Sequence, residues 1–433
     1  MYDSIVKSLI DLYALDSRPW VVGYSGGKDS TMIVSLVFEA LALLSPEVRT
    51  KEIAVVCTDT RVEIPAVVQR VLAELDAMSQ ASTKQGLGIT AHLLKPPAEQ
   101  SFWVNMIGRG YPPPNRTFRW CTQRMKIDPV SDFIRSRIGH WGEAIILLGA
   151  RKGESGSRAQ TLGVRIKKEH GLRRHDDLPR CWISTPIEEL STYDVWEYLM
   201  ERPNPWGGDN QGLFQLYKDA SGGECPLVMD QTTPSCGNSR FGCWTCTVVD
   251  RDKASEGLLA SGDTRMKRLL KFRETLVHYR DPENGFRDMV RKNGAEGPGP
   301  FKLESRKKLL SQLLALEKET DLSLISEEEL LWIQTFWNSA RGPDSGNGVA
   351  SILSHQRGYA MPMSTSRDDD QLRKIEQEVA AEKGISLDTL RRLVAKVEEY
   401  GESHRAVGLA DELLQILQDA LRVHTETTGV TDA

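Results

Sequence analysis

The stretch WVVGYSGGKDSTMIVSLVFEALALL (20–44) decides the fold. WVVGY reads as a buried strand and TMIVSLVFEALALL as a helix, with Ser25-Gly26-Gly27-Lys28-Asp29-Ser30 between them. Paired glycines let backbone N–H groups turn onto an anion with no Cβ in the way. The following helix adds unpaired N–H groups and the positive end of its dipole. Lys28 supplies a full charge, and Ser25 and Ser30 supply hydroxyls. This is the pattern of a phosphate or pyrophosphate site. It is not a Walker loop, because Gly23 and Gly27 are too close together and Asp29 follows the lysine.

Working outward, strand and helix signals keep alternating. EIAVVCTD (52–59), ITAHLLK (89–95), AIILLGA (144–150) and CWISTPI (181–187) read as strands, with IPAVVQRVLAELDAMSQ (64–80) as a helix. Such alternation predicts an α/β fold, a doubly wound and mostly parallel sheet. Ligands of such sheets bind beyond the carboxyl ends of the strands. Asp59 then stands near a ribose or adenine. Gly149, Arg151 and Arg158, in GARKGESGSR (149–158), stand ready for phosphate oxygens.

After residue 250 the strand signal stops. Three helix-like segments follow, then a linker-like RGPDSGNG (341–348) and two more helical segments, near 371–400 and 403–424. The expected organisation is a nucleotide domain over 1–220, a Cys-rich segment over 221–260 and a helical region over 261–340. A linker over 341–367 and a helical region over 368–433 complete it. The chain carries −5 overall, but Lys and Arg number 15 against 9 acids in 251–310, so that stretch is +6 and the rest −11. A locally basic surface of this kind suits nucleic-acid phosphates. Lys267, Arg268, Lys271 and Lys307 are its testable charges. The start of the chain reads as an amphipathic helix, not a signal peptide, and no apolar run reaches the length of a membrane span. A cytoplasmic location with no membrane partner is the expectation.

Four of seven cysteines crowd into 225–246 as Cys225, Cys236, Cys243 and Cys246. Four thiolates at this spacing match either an iron–sulfur cluster or structural zinc. Cys121, in FRWCTQR (118–124), follows a Pro-rich stretch and begins a helix. A helix N-terminus flanked by Arg119 and Arg124 is expected to lower its pKa. It is a candidate nucleophile, persulfide carrier or fifth cluster ligand, with a buried structural cysteine as the alternative. Cys57 and Cys181 read as core residues.

SGGKDS resembles the loop of PP-loop ATP pyrophosphatases, which cleave ATP between the α and β phosphates. Together with SFWVNMIGRGYP (101–112), RWCTQRMKI (119–127), TPIEELSTYDVWEYL (185–199), PNPWG (203–207), GECPLV (223–228) and PSCGNSRFGCWTC (234–246), it resembles the phosphoadenosine phosphosulfate reductase-like branch. Within that branch the resemblance is to DndC/SspD-type DNA phosphorothioation sulfurtransferases, and it spans about 20–260. It implies an adenine nucleotide α-hydrolase-like fold, ATP pyrophosphatase activity with Mg2+ at the phosphates, and a 4Fe-4S cluster on Cys225, Cys236, Cys243 and Cys246. It implies Ser25 to Ser30 as the pyrophosphate loop and Cys121 as a cysteine of sulfur transfer; in α–β cleavage Lys28 with Mg2+ would neutralise the developing charge, and Asp29 would help place the metal. Related reductases carry two adjacent cysteines here, whereas this chain has Trp120 before Cys121. The implied partners are DNA, a cysteine desulfurase as sulfur donor and other phosphorothioation-system proteins. Alternatives are a tRNA thiolase, which would deliver sulfur to a base, a sulfonucleotide reductase, whose Glu-Cys-Gly-His tail this chain lacks, and a zinc-bound DNA-binding module.

Overall fold

The computed structural model describes residues 1–154, 160, 169–220, 242–249, 251–260, 262–291, 294–339, 348–357, 377–383, 385–401, 410 and 412–417. The chain divides into two compact units, Met1–Ala360 and Met361–Ala433.

The first unit is built on a six-stranded sheet. Its strands are β1 (Trp20–Gly23), β2 (Ile53–Thr58), β3 (Ile89–Leu94), β4 (Ala144–Leu147), β5 (Arg173–Arg174) and β6 (Cys181–Ser184). Their spatial order is β3-β2-β1-β4-β6-β5. All pairings are parallel except β5 with β6. The α/β expectation holds, and all five predicted strands are present. β5 was not foreseen, because two arginines carry no strand pattern.

Apolar runs such as Ile53–Cys57 bury both faces of the sheet, as parallel strands require. Val21, Ala54, Val56, Ala144, Ile146 and Cys181 share one core cluster with Ile134 of the helix Asp128–Trp141. The alternate residues Trp20, Val22, Ile53, Val55, Ile145 and Leu147 are fully buried as well. The helix Lys28–Ala42 packs with Tyr2–Ala14 and Thr192–Glu201 in a separate layer. Cys57 and Cys181 are core residues, 5 % and 1 % exposed.

The helices Thr264–Arg280, Leu303–Thr320, Glu327–Ser339 and Gly348–Arg357 belong to the same unit. Two tryptophans tie them to the loop after β3. Trp103 Nε1 donates to Leu324 O at 2.7 Å, and Trp337 Nε1 donates to Ile107 O at 2.8 Å. In the second unit, residues 377–383 and Leu387–Gly401 are helical. Of the expected linker 341–367, residues 341–347 and 358–367 lie outside the described residues, and Gly348–Arg357 is a helix, not a linker. Among the described residues, no helix is long and apolar enough to cross a membrane.

Candidate functional site

The strand order reverses between β1 and β4, the position at which open α/β sheets bind ligands. The loop after β1 sits there. Gly26 adopts φ +72°, and a Cβ on it would meet Val71 Cγ2 at 2.5 Å, so only glycine fits. Ser30 Oγ donates to Gly27 O at 2.9 Å and accepts from Ser25 N at 3.1 Å, which folds the loop over the helix start. The helix begins at Lys28 with Gly27 as its N-cap. Gly149 completes the close packing: a Cβ there would stand 2.6 Å from Asp29 O.

A cavity of about 350 Å3 opens beside this loop. Val21, Val56, Val130, Ile146 and Leu148 give it apolar walls, and Ser25, Gly27, Asp29, Ser30 and Gly149 give it a polar end. The size and the mixed lining suit a nucleotide. Lys28 is buried, with Nζ 3.0 Å from Asp29 Oδ2. Arg151 is fully buried, and its Nε donates to Asp29 Oδ1 at 2.6 Å. Arg151 also donates to Leu190 O at 3.1 Å and to Thr192 Oγ1 at 3.3 Å. Asp29 is thus the hub that joins the loop to the end of β4. Tyr217, which sequence reasoning missed, lines the cavity as well. Its hydroxyl accepts from Lys28 N at 3.3 Å, and its ring lies 5.3 Å from Lys28 Nζ.

Asp59 is placed differently from expectation. It lines a second cavity, whereas its neighbour Thr58 lines the first. Its Oδ1 accepts from Arg61 N at 2.8 Å, which makes it a turn-forming aspartate. Arg158, Cys225 and Cys236 lie outside the described residues.

Cys243 and Cys246 sit against the loop that follows β2. Ile64 N donates to Gly242 O at 3.3 Å and Trp244 N to Val62 O at 3.0 Å, so the two segments pair like short strands. Cys246 N donates to Cys243 O at 2.9 Å and closes a turn between the cysteines. Thr60 Oγ1 lies 3.3 Å from Cys243 Sγ. Burial pushes the Cys243 thiol up to about 12, against the pull of Lys126. Lys126 Nζ is 3.4 Å from Glu63 Oε1. Burial alone would lower the Lys126 ammonium, but Cys243 and Glu63 outweigh it and raise it.

Cys121 is the second residue of a short helical turn, Trp120–Thr122, as the Pro-rich lead-in suggested. Its thiol does not behave as expected. Burial raises its pKa, and the neighbouring Cys246 raises it further. Arg124 does not offset this: its guanidinium is spent on Gln100 and lies 5.6 Å from the Tyr111 ring. The structure therefore brings Cys121, Cys243 and Cys246 into one electrostatic neighbourhood. Among the described residues, no three His, Cys, Asp or Glu side chains stand close enough to hold a metal ion. The described part of the donor set is all sulfur, which fits iron–sulfur or zinc chemistry and not Mg2+.

Two arginines counted as surface charge in the sequence do something else. Arg273 Nε donates to Cys246 O at 2.6 Å, and Arg280 Nη1 donates to Thr247 O at 2.8 Å and Pro114 O at 3.0 Å. They clamp the cysteine turn from the helix Thr264–Arg280. Of the charges proposed for phosphates, Lys267 and Lys271 are exposed, Arg268 pairs with Glu319, and Lys307 Nζ lies 3.0 Å from Glu304.

The sequence model of the phosphoadenosine phosphosulfate reductase domain matches residues 19–249, more than half of the chain. The chain belongs to this family. The matched span covers the whole sheet, the phosphate loop and all four crowded cysteines. An uncharacterized protein of Methanocaldococcus jannaschii is 27% identical over 238 residues, which cover 55% of this chain and 38% of that relative. The chain thus spans well under half the length of that relative. The crystal structure of phosphoadenylyl-sulfate reductase from Candida auris, a phosphate complex, is similar at 12% identity and a TM-score of 0.28. That likeness covers 49% of this chain and 89% of the reductase.

Proposed function

We propose that the chain is a sulfurtransferase that cleaves ATP to AMP and pyrophosphate and places sulfur on a backbone phosphate of DNA. One observation carries the reading: the nucleotide cavity and the cysteines share a loop. Thr58 lines the cavity, and Thr60, two residues on, lies 3.3 Å from Cys243 Sγ. An activated phosphate and a sulfur atom can therefore meet. The choice of DNA rests on the resemblance of RWCTQRMKI (119–127) and PSCGNSRFGCWTC (234–246) to phosphorothioation enzymes.

A non-bridging phosphate oxygen is a very poor leaving group, and transfer of AMP onto it makes it a good one. Pyrophosphate departs from the Ser25–Ser30 loop. Lys28 and the helix start oppose the charge that develops on it. Arg151 keeps Asp29 neutralised while Lys28 turns from Asp29 to the phosphates. A sulfur nucleophile from Cys121 then displaces AMP from phosphorus. If that nucleophile is a persulfide, a second thiol must cleave the resulting S–S bond. Mg2+ travels with the triphosphate and supplies charge neutralisation, since Asp29 is already paired. Cys225, Cys236, Cys243 and Cys246 would hold a 4Fe-4S cluster, whose iron would supply a binding place for sulfide. A cysteine desulfurase provides the sulfur, and other phosphorothioation proteins complete the system.

The test has two parts. Purified protein should release pyrophosphate from ATP, and Lys28→Ala should cut that rate by about 100-fold or more. Mass spectrometry of DNA from cells with and without the gene should show phosphorothioate only with it. Orthophosphate as the main product, or unchanged DNA, would defeat the reading. Reduction of a sulfonucleotide with no sulfur in DNA would point to a reductase.

A further inference from the structure

A second cavity, of about 340 Å3, adjoins the same loop: Thr58 lines the first and Asp59 the second. Asp59, Arg61 and Glu63 of the loop after β2 form one wall, and Leu322–Glu329 forms the other. Trp244, between Cys243 and Cys246, also lines it.

Most charges here are matched. Asp59 Oδ2 lies 3.5 Å from Lys95, and Glu63 Oε1 lies 3.4 Å from Lys126. Two polar atoms are not. Glu329 is 2 % exposed; its Oε2 accepts from Ser326 N at 2.9 Å and from Ser326 Oγ at 2.8 Å, but Oε1 has no hydrogen-bond partner. Arg61 Nε is buried and has none either. Arg61 also holds φ +63°, a left-handed conformation rare for residues with a side chain. Buried polar atoms left unpaired are costly, and such exceptions call for a partner.

We propose that this cavity receives a nucleobase of the acceptor strand, with a ring N–H on Glu329 and a carbonyl or ring nitrogen on Arg61. The inference rests on the DNA reading and names how the strand is held. A nucleobase carries both N–H donors and carbonyl or ring-nitrogen acceptors, which is what these two atoms lack. A small zwitterion would also satisfy them, but lacks the planar face that a base offers to Trp244. Trp244 offers the base an apolar wall. A base taken out of its stack into such a pocket is how enzymes hold one nucleotide of a strand. A base held here would bring its strand to the loop after β2, on which Thr58 lines the nucleotide cavity and Thr60 lies 3.3 Å from Cys243 Sγ.

The test uses the full chain, purified anaerobically, with a non-hydrolysable ATP analogue. The probe is a random-sequence single-stranded oligodeoxynucleotide carrying 5-iodouracil. Cross-linking by ultraviolet light and peptide mapping should find Trp244 or the 322–329 segment. Val68→Trp, which fills the cavity, should lower that yield about tenfold or more while strand-free pyrophosphate release persists. Glu329→Gln keeps an oxygen for Ser326 and should lower the yield at an unchanged melting temperature. Cross-links confined to 251–280, or a yield indifferent to both variants, would overturn the proposal while sparing the DNA reading. Failure of the protein to retain any strand on a filter would overturn both.

Discussion

Arg151 Nε donates to Asp29 Oδ1 at 2.6 Å, across 122 residues of sequence. This bond fixes the phosphate loop to the end of β4. It also gives Asp29 a cationic partner besides Lys28. Arg151→Ala should leave Asp29 with Lys28 alone, unpair Leu190 O and Thr192 Oγ1, and cost about 3 kcal/mol or more of stability. Chemical denaturation measures the loss, and pyrophosphate release should fall with it. Arg151→Lys should recover only part, since one ammonium cannot reach Asp29, Leu190 O and Thr192 together. A wild-type denaturation midpoint for Arg151→Ala would mean that the pair holds nothing in place.

Gly149 tests the same contact from the backbone side. An added Cβ would lie 2.6 Å from Asp29 O and 2.8 Å from Asp29 C, both backbone atoms that cannot swing aside. Gly149→Ala should therefore push the loop out of shape and raise the KM for ATP, with secondary structure by circular dichroism retained. Unaltered ATP kinetics would show that the loop tolerates the displacement.

Much of this was legible in the sequence. The strands announce themselves as apolar runs of strand length, and the loop as glycines between strand and helix. What was not legible depends on contacts between distant residues. Arg273 and Arg280 entered a charge count as surface, yet their guanidinium groups are used on Cys246 O and Thr247 O. Asp59 was assigned by its place at a strand end, but Arg61 N turns it into a turn residue. The arginines beside Cys121 suggested a low pKa, and burial reversed the sign. Charge and spacing are local in sequence, whereas desolvation is set by what packs around a group.

The clamp on the cysteine turn gives a further prediction. Arg273 is 5 % exposed and satisfies Cys246 O. Arg273→Ala should leave that carbonyl unpaired and loosen the turn without touching a thiol. Iron and acid-labile sulfide per chain should fall in anaerobic preparations, although all four crowded cysteines remain. Iron content equal to wild type would make the clamp dispensable for whatever the turn holds. Stoichiometric zinc without iron in the wild type would replace the cluster reading itself.

Cys121 separates sulfur transfer from cluster binding. It arrives on its own helical turn, while Cys243 and Cys246 arrive together on a turn clamped from the helix Thr264–Arg280. In the proposed function four other cysteines complete the cluster's ligand set, which leaves Cys121 for the transferred sulfur. Its place beside Cys246 puts that sulfur next to the proposed cluster. A thiol raised by burial is protonated at rest, so it needs a change in its surroundings before it accepts or donates sulfur. Cys121→Ser should keep iron near the wild-type content and keep most pyrophosphate release, yet abolish phosphorothioate in DNA. Cys225→Ser should lose the iron. The opposite pattern, with iron lost in Cys121→Ser and kept in Cys225→Ser, would make Cys121 the fourth ligand and leave Cys225 as the sulfur carrier.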